Sequence, residues 1–193
     1  MPHLIIIRHT NTKPTPHREN KAWEVTAEGL ARAERLARQL AVYQVEALYT
    51  STFDKTKITG QILSDAWGLP ICGALHAFDE NDRQGVPFYA SRVTFEAAIE
   101  QFFVHHSQVV FGRESADQVA ERFARGIEQV TSDSAEKTIA VVTHGVAPAS
   151  FLAARMGKTP FTAWQQTQQL GMPCFFVLTL PDLQFVKSAG LAH

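Results

Sequence analysis

The chain has 193 residues, 45% of them hydrophobic and 19% charged, with a formal net charge of −1. That length suits one α/β domain, expected to span 1–193, and is short for two; the charge balance offers no basic field to nucleic acid and no acidic tail. The apolar run at 4–7 is too short for a signal-peptide core and is stopped by Arg8, no segment approaches a membrane-spanning length, and no zinc-finger tetrad of Cys and His occurs. Cys72 and Cys174 lie far apart and read as buried thiols of a reduced, cytoplasmic protein.

In chain order, residues 4–7 form a β-branched apolar run suited to a parallel strand buried on both faces, and the run ends in the polar residues Arg8 to Thr12. Pro14, Pro16, His17 and Arg18 mark a loop over 12–20. Thr26 is an N-cap candidate with Glu28 in the first turn, and Leu30, Ala33, Ala37 and Leu40 recur at helical spacing in a helix ending near Tyr43. Residues 45–49 read as a second strand with 50–52 as its exit. A second helix is expected from about Asp54 to Trp67, closed by Gly68 and Pro70. Residues 69–72 suggest a short third strand, and the polar stretch 74–89 a loop over the sheet edge. Residues 94–105 suggest a helix with a very apolar face.

Ser115 to Gln118 matches a capping box, and Val119, Phe123, Ile127 and Val130 give the stripe of the helix it opens. Residues 138–143 form another apolar strand ending in Thr143-His144-Gly145, followed by a helix over 146–156 closed by Gly157. Residues 174–180 and 183–187 read as a hairpin around Pro181-Asp182. The alternation predicts a three-layer α/β/α sandwich with a mostly parallel central sheet and room for an antiparallel edge.

Parallel sheets bind ligands at the C-terminal ends of their strands. One strand exit carries Arg8 and His9, another leads to Lys55 and Lys57, and a third gives His144 before a helix whose first N–H groups suit an anion. Two imidazoles and two cations in one pocket fit a phosphoryl group, whose transfer needs an in-line nucleophile and charge stabilisation on the equatorial oxygens.

Arg8-His9-Thr10 after an apolar first strand resembles the Arg-His-Gly signature of the histidine phosphatase (phosphoglycerate mutase-like) superfamily. Val25-Thr26-Ala27-Glu28-Gly29 is similar to its Leu-Thr-x-x-Gly helix opening. The segment from Thr50 to Thr59 is similar to its Ser-Ser-Pro-x-x-Arg-Ala-x-Gln-Thr segment. Glu114-Ser115 with Arg122 is similar to its Glu-Ser helix start, and Val141 to Gly145 to its second histidine segment. These matches occur in the family's order and span most of the chain.

The resemblance implies a metal-independent phosphatase without cofactor that acts on a small phosphorylated substrate or binds phosphate ion, and on neither nucleic acid nor membrane. His9 would be the nucleophile and His144 a donor to an equatorial oxygen. Glu80, in a stretch similar to a Leu-His-Glu-His-Asp-Arg segment, would be the proton donor, with Asp79 and Asp82 as alternatives. Arg8, Lys55 and Asn11 would bind the substrate.

Three departures stand out. Thr10 replaces glycine and adds bulk beside the nucleophile, Lys55 replaces arginine with Lys57 as a fallback cation, and Thr52 replaces proline in a change read as minor. His17, Arg18, Arg83 and Arg113 are further candidates for meeting an anionic substrate.

The alternatives are a catalytically weak or inactive phosphate- or phosphoprotein-binding module of the same fold, a phosphoglycerate mutase-type phosphotransferase, a protein-phosphohistidine phosphatase, and a zinc hydrolase using His9, His144 and Glu80. No sequence feature fixes an oligomeric state.

Overall fold

The first strand shows why the chain folds in layers. In β1 (His3–Arg8), Leu4 to Ile7 are fully buried, and alternate side chains go to opposite faces. Leu4 and Ile6 join one core cluster, while Ile5 and Ile7 join another. The computed structural model describes residues 1–16, 18–134 and 136–191; the loop residue His17 and the terminal His193 lie outside the described residues.

Five further strands complete the sheet: β2 (Ala47–Thr50), β3 (Ile71–Ala74), β4 (Ile139–Thr143), β5 (Cys174–Thr179) and β6 (Phe185–Gly190), in the order β3-β2-β4-β1-β5-β6. Strands β3, β2, β4 and β1 run parallel to one another, and β5 and β6 are antiparallel additions beside β1 at one edge. That division follows connection length: β5 and β6 are joined by a short turn, whereas each parallel pair requires a crossover.

Helices α1 (Ala27–Leu40) and α2 (Asp54–Trp67) cover one face through Leu36, Ala37, Leu40 and Leu63. Helices α3 (Arg92–Val104), α4 (Ala116–Asp133), α5 (Ala149–Met156) and α6 (Pro160–Leu170) cover the other, with Phe102, Phe123, Leu152 and Trp164 fully or almost fully buried. The three-layer arrangement is the one the strand–helix alternation predicts.

Several local expectations change. In α1 the buried stripe runs through Gly29, Ala33, Leu36, Ala37 and Leu40, and Leu30 is exposed. Helix α5 starts at Ala149 and not at Val146, because residues 145–148 form turns and Ala149 N–H closes on the Val146 carbonyl at 3.0 Å. Helix α6 was not anticipated, although its start signal is present: Thr159 accepts from the Thr162 N–H, and Pro160 occupies the first turn. Cys72 is exposed, since β3 is an outer strand of the sheet; Cys174 is buried, and burial pushes its thiol up to about 11.

Gly29 explains the Thr-x-x-Gly opening of α1. Thr26 caps the helix by accepting from the Gly29 N–H at 3.0 Å, and a Cβ on Gly29 would sit 2.5 Å from the Asn11 carbonyl oxygen. The absent side chain lets α1 close against the segment leaving β1. Gly29→Ala is therefore expected to lower stability by about 1–3 kcal/mol through overpacking, read as a lower urea midpoint; an unchanged midpoint would contradict the close approach.

Candidate active site

The strand registers line up the functional exits. Arg8 pairs with Thr143 between β1 and β4, and Thr50 with Val142 between β2 and β4. The ladders then run one residue past the strands, with His9 N–H donating to the Thr143 carbonyl and Ser51 N–H to the Val142 carbonyl, each at 2.9 Å. His9 and His144 consequently leave the sheet side by side, their ring centroids 5.3 Å apart.

His9 Nδ1 lies 2.7 Å from the Thr10 carbonyl oxygen. A carbonyl only accepts, so Nδ1 carries the hydrogen and Nε2 keeps its lone pair. Burial, reinforced by Lys55 and Arg8, holds the ring well below the usual histidine range, so it is neutral. Thr10 does not crowd the cleft: it is fully buried, its hydroxyl donates to the Gly29 carbonyl at 2.7 Å, and its N–H donates to Thr59 Oγ1 at 3.2 Å.

Lys55 is only 3% exposed, donates to the Asn20 carbonyl at 2.9 Å, and lies over the rings of Trp23 and Phe53 at 5.4 and 5.6 Å. Burial pulls its pKa down to about 7, against the opposing pull of Glu80. Lys57 faces solvent and pairs with Asp54 at 3.7 Å. Arg8 is held by the end of α6, with Nη1 donating to the Thr167 carbonyl at 2.8 Å and Nη2 to Gln168 Oε1 at 3.3 Å; its buried Nε has no partner among the described residues. Because α6 was not read from the sequence, this support for Arg8 was missed.

Glu80 is 7% exposed. Its Oε1 accepts from the N–H groups of Val146 and Ala147 at 3.1 and 2.9 Å, and its Oε2 lies 3.3 Å from Arg83. The backbone donors expected to face a ligand anion thus hold the protein's own carboxylate. Arg83 stacks on Phe95 and Phe111, with its guanidinium 5.2 and 5.4 Å from the ring centroids.

The other two acids in this stretch have different surroundings. Asp79 accepts from Thr52 N–H at 2.6 Å, from the Thr52 hydroxyl at 2.7 Å, and meets His76 Nδ1 at 2.7 Å. Thr52 therefore supplies two donors that a proline lacks, so this departure is not a minor one. Asp82 is exposed and accepts from the Gln84 N–H.

The Glu-Ser helix start positions this loop. Arg122 makes a two-pronged pair with Glu114 at 3.0 and 2.9 Å and donates to the carbonyls of His76, Ala77 and Asp79. Glu114 in turn accepts from the Asp82 N–H at 3.0 Å.

A cleft of about 1040 Å³ opens over these groups, lined among others by Arg8, His9, Lys55, Glu80, Arg83 and Trp164. Arg18 is on its rim, paired with Glu24. Asn11 and His144 are not on the lining: His144 is buried behind it against His9, and the Asn11 carbonyl accepts from the Thr26 N–H while its neighbour Thr12 reaches the cleft. Arg113 is exposed and also off the lining. Among the described residues no three His, Cys, Asp or Glu side chains gather where they could hold a metal ion, and no helix is long and apolar enough to cross a membrane.

The fold and the paired histidines define the class. The sequence matches the family described as the histidine phosphatase superfamily (branch 1) over residues 4–186, and the chain belongs to that superfamily. No curated protein matches it significantly. Among solved structures it is similar to the phosphoserine phosphatase of Entamoeba histolytica bound to phosphoserine, with a TM-score of 0.73 and 18% identity over 96% of this chain and 94% of that one. It is also similar to a mycobacterial glucosyl-3-phosphoglycerate phosphatase complexed with VO3, with a TM-score of 0.75 and 17% identity over all of both chains. For YhfR of Bacillus stearothermophilus the values are 0.69 and 19%, over 96% and 95% of the two chains. At these identities the likeness establishes the shared fold.

The Arg122 clamp generates a stability prediction. Arg122→Ala removes the charged partner of the partly buried Glu114, which keeps only the Asp82 N–H among the described residues, and a donor from three loop carbonyls; it is expected to cost about 3–5 kcal/mol, measured by chemical denaturation. Arg125→Ala, which removes only an exposed pair with Glu121, should leave the midpoint almost unchanged; equal effects would contradict the clamp.

Proposed function

We propose that this chain is a metal-independent phosphatase that hydrolyses phosphomonoesters through a phosphohistidine on His9, with 1–193 acting as one domain. The observation that carries this reading is the neutral His9, with Nε2 unprotonated, on the lining of a cleft that it shares with Arg8 and Lys55.

In the first step Nε2 attacks phosphorus, a P–N bond forms, and the P–O bond to the leaving group breaks. Glu80 Oε2, which faces Arg83 and accepts no backbone N–H among the described residues, is the oxygen left to carry a proton to the departing oxygen. In the second step the Glu80 carboxylate takes a proton from water, the oxygen of that water attacks phosphorus, and the P–N bond breaks to return neutral His9. Arg8 and Lys55 offset the charge on the equatorial oxygens, and the buried Arg8 Nε is a donor with no acceptor among the described residues.

The substrate class is a small phosphorylated molecule with some apolar bulk in its leaving group. The size of the cleft and the presence of Trp23, Phe53, Tyr89, Phe95 and Trp164 on its wall support this. The free thiols Cys72 and Cys174 support a reducing, cytoplasmic setting.

His9→Ala is expected to abolish hydrolysis of a generic aryl phosphate while circular dichroism stays unchanged, and a chelator should leave the wild type active. Activity surviving in purified His9→Ala protein would contradict the reading. A second outcome concerns pH. Lys55 loses its charge as pH rises through about 7 in the empty cleft, so affinity for the substrate dianion should fall above that pH and appear as a rising KM. Arginine stays charged throughout this range, so Lys55→Arg should remove the break in KM near pH 7; a break that persists there would exclude Lys55 from the anion site.

A further inference from the structure

The hydrogen bonds behind His144 fix which of its ring nitrogens carries the proton. Thr56 Oγ1 lies 2.6 Å from the Phe53 carbonyl and 3.1 Å from the Ser51 carbonyl. Carbonyls accept only, so the single Thr56 hydroxyl hydrogen goes to them. In the 2.8 Å contact between Ser51 Oγ and Thr56 Oγ1, Ser51 is therefore the donor. Ser51 has then used its own hydrogen, and its oxygen accepts from the Phe53 N–H at 3.2 Å and from His144 Nε2 at 2.8 Å. Neutral His144 thus carries its hydrogen on Nε2. Its Nδ1 holds a lone pair, is buried, and has no partner among the described residues.

The groups around this ring keep it neutral while the cleft is empty. His9 approaches from the end of β1 and Phe53 from the start of α2, at 5.3 and 4.8 Å between ring centroids. Arg8, Lys55 and Arg83 bring positive charge, while Glu80 is bound to the N–H groups of Val146 and Ala147, two and three residues further on. Burial and these cations all disfavour an imidazolium. Yet Nδ1 is the unpartnered atom of a ring packed against His9 on the cleft wall; a phosphate oxygen that reached it would meet a lone pair, and two acceptors repel unless a proton stands between them.

We infer that Ser51 is a positioning residue that locks His144 as the Nε2–H tautomer, so that phosphate binding takes up one proton from solvent at His144 Nδ1 and turns the ring into a donor to an equatorial oxygen. This rests on the phosphohistidine reading of the cleft. No bond other than N–H forms in the uptake, and the proton returns to solvent when phosphate leaves. The tetrahedral anion thereby creates its own donor, and an empty site carries one buried charge fewer.

Nitrogen NMR of histidine-labelled wild-type protein tests the tautomer directly. Free protein should show His144 protonated at Nε2 alone, and protein saturated with inorganic phosphate should show both nitrogens protonated. Finding the Nδ1–H tautomer in the free protein would overturn the inference.

Calorimetry of inorganic phosphate binding at pH 8, in buffers of differing ionisation enthalpy, counts the protons. Ser51→Ala removes the acceptor that pins Nε2–H and lets the neutral ring move its hydrogen to Nδ1. This variant should take up one proton fewer than wild type. Uptake at Lys55 is common to both proteins and cancels in the difference. Equal counts would overturn the role of Ser51. Absence of His9-dependent hydrolysis would instead remove the phosphatase reading beneath it.

Discussion

The parallel pairing of β1 with β4 is the constraint on which the site depends. Because Arg8 lies opposite Thr143, and His9 N–H continues the ladder onto the Thr143 carbonyl, the two catalytic candidates emerge next to each other from adjacent strands. A slip of one residue would turn each following side chain to the opposite face. The apolar alternation of Leu4 to Ile7 between two cores makes such a slip costly, since both sets are fully buried. Packing energy in the sheet thus sets the geometry at its tip.

Electrostatics builds on that geometry. Arg8, Lys55 and Arg83 are brought out of water around Glu80, and the two histidines are kept neutral by burial and by those cations. Buried cations with few acceptors represent unfavourable solvation that an incoming tetrahedral anion relieves. Arg8 Nε and His144 Nδ1, both buried and without a partner among the described residues, tell the same story in hydrogen-bond terms. Glu80 is held apart from this demand by two backbone N–H groups, and its loop is held by Arg122 from α4.

Much of this was legible in the sequence, and the reason differs by element. The bounds of α2 follow from Gly68, whose positive φ closes the helix, and α4 follows from the capping box at Ser115. The layer arrangement follows from strands that are apolar throughout alternating with helices. What escaped depends on contacts distant in sequence. Thr52 looked like a neutral replacement until Asp79 came within reach of both its donors. Thr10 looked like an obstruction until its hydroxyl found Gly29. The N–H groups of Val146 and Ala147 looked like a ligand site because nothing in the local sequence announces Glu80 as their partner. Asn11 shows the same limit: one residue's difference decides whether a loop side chain faces the cleft, and there the structure brings Thr12 forward.

A phosphatase of the proposed kind becomes covalently phosphorylated on His9 during turnover. Brief exposure of the protein to a radiolabelled phosphomonoester, followed by rapid denaturation and peptide mapping, tests it most directly. The expected label lies on the peptide containing His9 and is lost in acid and stable in alkali, the behaviour of a phosphoramidate. A trapped label stable in acid, or located on any other residue, would contradict it.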